Sequence, residues 1–86
     1  MADVEIYIKV TCPYCIRAKR MLDMKGVEYR EYDVGRDRAK FSEMVARSAG
    51  RSTVPQIFLD GLHIGGCDDL FSLEMDGKLT EMLAAT

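Results

Sequence analysis

Cys12 and Cys15 stand where an alternating apolar run gives way to a helical pattern, and this junction constrains the chain more than any other feature. Val4, Ile6, Ile8 and Val10 alternate with Glu5, Tyr7 and Lys9. That is the period of a strand, and it predicts one ending near Val10-Thr11. Pro13 then fits the first position of a helix, where its missing N–H costs nothing. Cys15, Ala18 and Leu22 fall on one helical face with Met21 beside them, and Gly26 is a natural stop.

The junction carries chemistry. With Cys12 as the N-cap, Tyr14 and Cys15 become the second and third helical residues, and their N–H groups point at the Cys12 sulfur. A thiolate there gains hydrogen bonds and the helix dipole, about 0.3–1 kcal/mol for the dipole alone. A unit charge from Lys9 at about 6 Å adds roughly 3 kcal/mol before screening, at an effective dielectric near 20. Cys15, one turn in, faces the core without that help. Cys12 is therefore expected to attack and Cys15 to resolve. A disulfide closing so small a loop would stabilise by only about 2 kcal/mol, so stapling explains the pair poorly. Two plainer readings compete: a pair of buried small residues, and a structural zinc site of Cys12, Cys15, His63 and Cys67. Against zinc, the pair opens an amphipathic helix and not a tight turn, and His63 in an alternating strand reads as a surface imidazole.

The remaining pattern supplies the frame. Tyr29 to Val34 predicts a second strand, Asp37 an N-cap, and Phe41, Met44 and Val45 the buried stripe of a second helix followed by Gly50. A strand–helix–strand unit of this kind crosses over right-handed, so the first two strands should be parallel. Thr53-Val54-Pro55 leads into Gln56-Ile57-Phe58-Leu59, with Pro55 at the strand's start because it cannot donate to a ladder. Asp60-Gly61 is a hairpin turn, and Leu62-His63-Ile64 returns antiparallel. After Gly65-Gly66, Asp68-Asp69 suit a helix start, with Leu70, Phe71 and Met75 turned inward. Gly77 ends that helix, and Leu79, Met82 and Leu83 suggest one or two further turns. The expected order is β-α-β-α-β-β-α, an α/β fold with a mixed four-stranded sheet and helices on both faces.

Length and charge remove several classes. Eighty-six residues, 48% of them hydrophobic, suit a single domain over 1–86. A net charge of −2 with both signs dispersed argues against nucleic acid as a partner. No apolar run approaches the roughly 20 residues that span a bilayer. The acidic start, Asp3 and Glu5, is unlike a secretory signal, and three cysteines are few for a secreted stapled domain. A cytoplasmic location is expected.

Cys12-Pro13-Tyr14-Cys15, Thr53-Val54-Pro55 and Gly65-Gly66-Cys67-Asp68-Asp69, in that order and spacing, resemble the glutaredoxin family in its bacterial dithiol type. The likeness covers essentially the whole chain. It implies a thioredoxin-like fold, with Pro55 as a cis-proline facing the cysteines. It implies a glutathione site as well: Lys9 on a carboxylate, Tyr14 lining the groove, the Val54 backbone pairing with the tripeptide like an added strand, and Thr53 flanking it. Cys67 and Asp68 would hold the γ-glutamyl end, where a helix N-terminus suits a carboxylate and Asp68 an ammonium. Cys67 itself reads either as a small residue at a helix start or as a redox-sensitive thiol.

The expected activity is glutathione-dependent reduction of protein disulfides and of glutathione mixed disulfides. Glutathione is the reducing co-substrate, with no tightly bound cofactor and no metal. Disulfide-containing or glutathionylated proteins are the expected partners, ribonucleotide reductase among the family's possibilities, and the chain is expected to act as a monomer. Two rivals remain. One is a redoxin recharged by thioredoxin reductase, disfavoured by Lys9, Asp68 and Asp69. The other is an iron–sulfur carrier using Cys12 and glutathione, disfavoured by stiff Pro13 and by the competing thiol of Cys15.

Overall fold

The computed structural model describes residues 2–84. Its elements are β1 (Val4–Ile8), α1 (Pro13–Met24), β2 (Tyr29–Asp33), α2 (Arg38–Arg47), β3 (Gln56–Leu59), β4 (Leu62–Gly65), α3 (Cys67–Met75) and α4 (Lys78–Ala84). The sheet runs β2-β1-β3-β4, with β1 parallel to β2 and antiparallel to β3, and β3 antiparallel to β4. The expected mixed sheet and its parallel first pair are present.

The local signals account for most boundaries. Asp37 caps α2 by accepting from the Lys40 N–H at 3.1 Å. Asp60 and Gly61 take φ of 52° and 82°, the left-handed pair of a two-residue hairpin turn. Cys15, Ala18 and Leu22 are the buried residues of α1. Strand ends were less legible: β1 stops at Ile8, not Val10, and β2 at Asp33, not Val34. The chain turns at Val10-Thr11 so that Cys12 can reach α1, and its N–H returns to the Lys9 carbonyl at 3.2 Å.

Two cores lie on opposite faces of the sheet. One joins Val4, Ile6, Ile8, Ile57 and Leu59 to Cys15, Ala18 and Leu22 of α1, Leu70 of α3 and Leu79 of α4. The other joins Tyr7, Val34 and Phe58 to Met44 of α2. All five residues of β1 are therefore buried, including Glu5 and Tyr7, which the alternation alone would leave at a solvated face. Three expected core residues differ. Phe41 and Val45 only flank the second core, and Met75, at the end of α3, is exposed. Among the described residues no helix is long and apolar enough to cross a membrane.

Candidate active site

Three loops meet at one edge of the sheet. β1 ends there, and β3 begins there, because Gln56 is the register partner of Tyr7. β4 ends beside them, with Gly65 opposite Ile57. The segments leaving or entering these strands are Cys12-Pro13-Tyr14-Cys15, Thr53-Val54-Pro55 and Gly66-Cys67-Asp68-Asp69. Tyr14 of the first segment and the residues of the other two, together with Arg51, line an open groove of about 350 Å³. Cys12 lies beside it, against the Val54 carbonyl.

Cys12 is the N-cap of α1, in extended backbone conformation, and its sulfur accepts the Cys15 N–H at 3.3 Å. The expected second donor, Tyr14, does not appear in that cap. On its other side the Cys12 thiol donates to the Val54 carbonyl at 3.7 Å. Cys12 is half-buried at the groove, whereas Cys15 is only 1% exposed. Burial, reinforced by the adjacent Cys12 sulfur, pushes the Cys15 thiol up to about 12, against a smaller opposing effect of the Lys9 backbone. The two thiols are unlike: one is half-buried beside the groove, and the other is held protonated in the core.

The Val54-Pro55 peptide bond is cis, as the resemblance implied, and Val54 turns its carbonyl toward Cys12. Tyr14 is exposed along the groove. The N-terminal end of α3 closes the far side. Asp69 reaches back to the Gly66 N–H at 2.9 Å. Gly65, at φ +119°, leaves room for that carboxylate, which a Cβ would strike. Cys67 begins α3, is buried, and has its thiol pushed up by that burial. Asp68 next to it is exposed.

Lys9 is placed differently. Its side chain lies along Gly35 and lines a neighbouring depression with Val34, Arg36, Arg38 and Phe41, not the groove itself. Arg51 was missed in the sequence. It borders the groove and pairs with Asp69 at 3.6 Å. Its only signal was a lone cation between Gly50 and Thr53-Val54-Pro55. His63 also differs from expectation. It is half-buried, its ring lies 4.9 Å from that of Phe58, and burial lowers its pKa. Phe58 belongs to the α2-side core, and Cys15 and Cys67 belong to the other, so His63 does not join the cysteines. Among the described residues no three metal-ligating side chains converge.

A half-buried thiol capping a helix N-terminus, with a second thiol one turn behind it, fits a thiol–disulfide oxidoreductase on a thioredoxin-like fold. The glutaredoxin family model matches residues 4–64. Glutaredoxin 3 of Escherichia coli K12 is 57% identical over 83 residues, covering 96% of this chain and 99% of that one. The solution structure of a glutaredoxin from Brucella melitensis superposes with a TM-score of 0.83 at 51% identity, over 96% of this chain and 89% of that one. The crystal structure of a buckwheat glutaredoxin–glutathione complex gives 0.88 at 32% identity, over 98% and 78%. The chain belongs to the glutaredoxin family and is a glutathione-dependent thiol–disulfide oxidoreductase.

Proposed function

We propose that Cys12 is the attacking thiol, that Cys15 resolves, and that the groove holds the glutathionyl part of the substrate. The observation that carries this reading is the inequality of the two sulfurs: Cys12 is half-buried beside Val54 of the groove wall, and Cys15 is buried and held protonated. On a glutathionylated protein, the Cys12 thiolate attacks the glutathione sulfur. The protein leaves as its thiolate, and glutathionylated Cys12 remains. A second glutathione thiolate attacks that glutathione sulfur, releasing glutathione disulfide and the Cys12 thiolate. On a protein disulfide, Cys12 forms the mixed disulfide, and Cys15 then attacks the Cys12 sulfur. The Cys15 proton passes to the departing substrate thiolate, and two glutathiones reduce the Cys12–Cys15 bridge in turn.

The glutathione site follows the same edge. The Val54 backbone pairs with the tripeptide as an added strand, with Thr53 and Pro55 beside it and Tyr14 along its length. Cys67 N–H and Asp68, at the start of α3, take the γ-glutamyl carboxylate and ammonium. Lys9 reaches a carboxylate from the adjoining depression. Protein substrates with accessible disulfides, that of ribonucleotide reductase included, fall within this reading. Residues 1–86 act as one domain and as a monomer, since one chain supplies every wall of the groove. The cytoplasm, with its reduced glutathione pool, is the compartment that recharges it.

The test is a pair of coupled assays on one disulfide substrate. Turnover is expected with glutathione and glutathione reductase, and not with thioredoxin reductase. Turnover with thioredoxin reductase alone would overturn the glutathione site.

A further inference from the structure

Gln56 opens β3 and is 0% exposed, yet it touches no reacting atom. Its amide nitrogen lies 3.1 Å from the Thr53 carbonyl oxygen and 3.2 Å from the Thr53 hydroxyl oxygen. Its amide oxygen lies 2.7 Å from His63 Nε2. These three contacts fix every donor and acceptor in the chain of groups. A backbone carbonyl only accepts, so the atom facing Thr53 is the amide NH₂. The other end is then the amide oxygen, and His63 must donate to it from Nε2. The second NH₂ hydrogen goes to Thr53 Oγ1, so the hydroxyl's own proton cannot lie along that line. Thr53 is exposed and lines the groove, which leaves its proton free to be donated there. A hydroxyl that already accepts one hydrogen bond is a stronger donor for the next.

We propose that Gln56 is a positioning residue that sets the Thr53 hydroxyl as a hydrogen-bond donor into the groove, with His63 fixing the direction in which the Gln56 amide faces. The ligand group it meets is an acceptor, a carbonyl or carboxylate of an extended peptide. This rests on the reading that the groove holds the glutathionyl moiety. Gln56 links the substrate-binding turn to the sheet and polarises it, so it acts through Thr53.

Steady-state kinetics on a glutathionylated peptide test the proposal. Thr53→Val should raise KM about fivefold, the cost of one neutral hydrogen bond, while Thr53→Ser keeps the wild-type value. Gln56→Met should also raise KM about fivefold, and the double variant should rise no further, because the two residues act as one unit. Independent effects multiplying to about 25-fold, or an unchanged KM in Thr53→Val, would overturn the proposal. A separate readout needs no variant. Imidazole ¹⁵N shifts of the wild-type protein at pH 8 should show His63 as the Nε2–H tautomer, and the Nδ1–H tautomer would overturn it. If wild-type protein fails to turn over the glutathionylated peptide at all, the glutathione reading itself falls, and the tautomer still decides the polarity of the Gln56 amide.

Discussion

Cys12 and Cys15 are one helical turn apart, and the protein treats them oppositely. Cys12 Sγ sits between the Cys15 N–H and the Val54 carbonyl at the mouth of a groove. Cys15 packs with Ala18 and Leu22 against the sheet. A thiol reacts as its thiolate, so the fraction ionised sets the rate. With Cys15 pushed up to about 12, its thiolate fraction at pH 8 is on the order of one in 10⁴, and it grows tenfold per pH unit until the pH nears that value. Iodoacetamide at pH 8 should therefore label Cys12 and leave Cys15 and Cys67 largely unmodified, as read by peptide mass mapping of briefly treated protein. Equal labelling of Cys12 and Cys15 would show that the burial seen here does not protect the second thiol.

At the scale of elements, the least legible feature was the joint between β1 and α2. Arg47 donates to both carboxylate oxygens of Glu5, at 3.0 and 3.1 Å, and to the Tyr7 hydroxyl at 2.6 Å. Tyr32 donates to Glu5 at 2.9 Å, and the guanidinium lies 4.0 Å from the Phe58 ring centre. The Arg47 hydrogen bonds hold Glu5 below the usual carboxylate range, although burial opposes them. A lowered folded-state pKa contributes stability that is complete above the unfolded value, near 4.3–4.5, and is lost as pH falls through the folded one. Glu5→Gln should thus cost about 1–3 kcal/mol in denaturant unfolding at pH 7, and its deficit should shrink by pH 3. A deficit independent of pH would mean that the charge of Glu5 contributes nothing. The alternation of β1 was plain in the sequence. What it could not reveal is that the polar half of that pattern is also buried. The partner that makes this possible lies 42 residues along the chain, and no local spacing marks it. The cap of α2, the Asp60-Gly61 turn and the apolar stripe of α1 were legible because each is written within a few residues.

Over the whole molecule, the site is a product of topology. A sheet ordered β2-β1-β3-β4 brings the end of β1, the start of β3 and the end of β4 to one edge. Segments some 40 and 50 residues beyond the cysteines come to face them there. The sequence marked these segments through their likeness to a family pattern, and this is why Thr53, Val54, Pro55, Cys67 and Asp68 were expected at the groove. Arg51 and the Gln56–His63 link lie outside that pattern and needed the fold to be seen. Lys9 was singled out by its place three residues before Cys12, and its side chain lies beside Gly35 in the adjoining depression.

The fold therefore leaves one thiol half-buried beside the groove and buries the other, and removing each thiol in turn measures the proposed division of labour most directly. Turnover of a glutathionylated peptide by glutathione should vanish in Cys12→Ser. It should persist in Cys15→Ser, within about threefold of wild type, since that route needs only one protein thiol and a change of that size is under 1 kcal/mol. Reduction of a protein disulfide through the intramolecular bridge should fail in both. Equal loss of deglutathionylation in the two variants, or activity surviving in Cys12→Ser, would contradict the division of labour between Cys12 and Cys15.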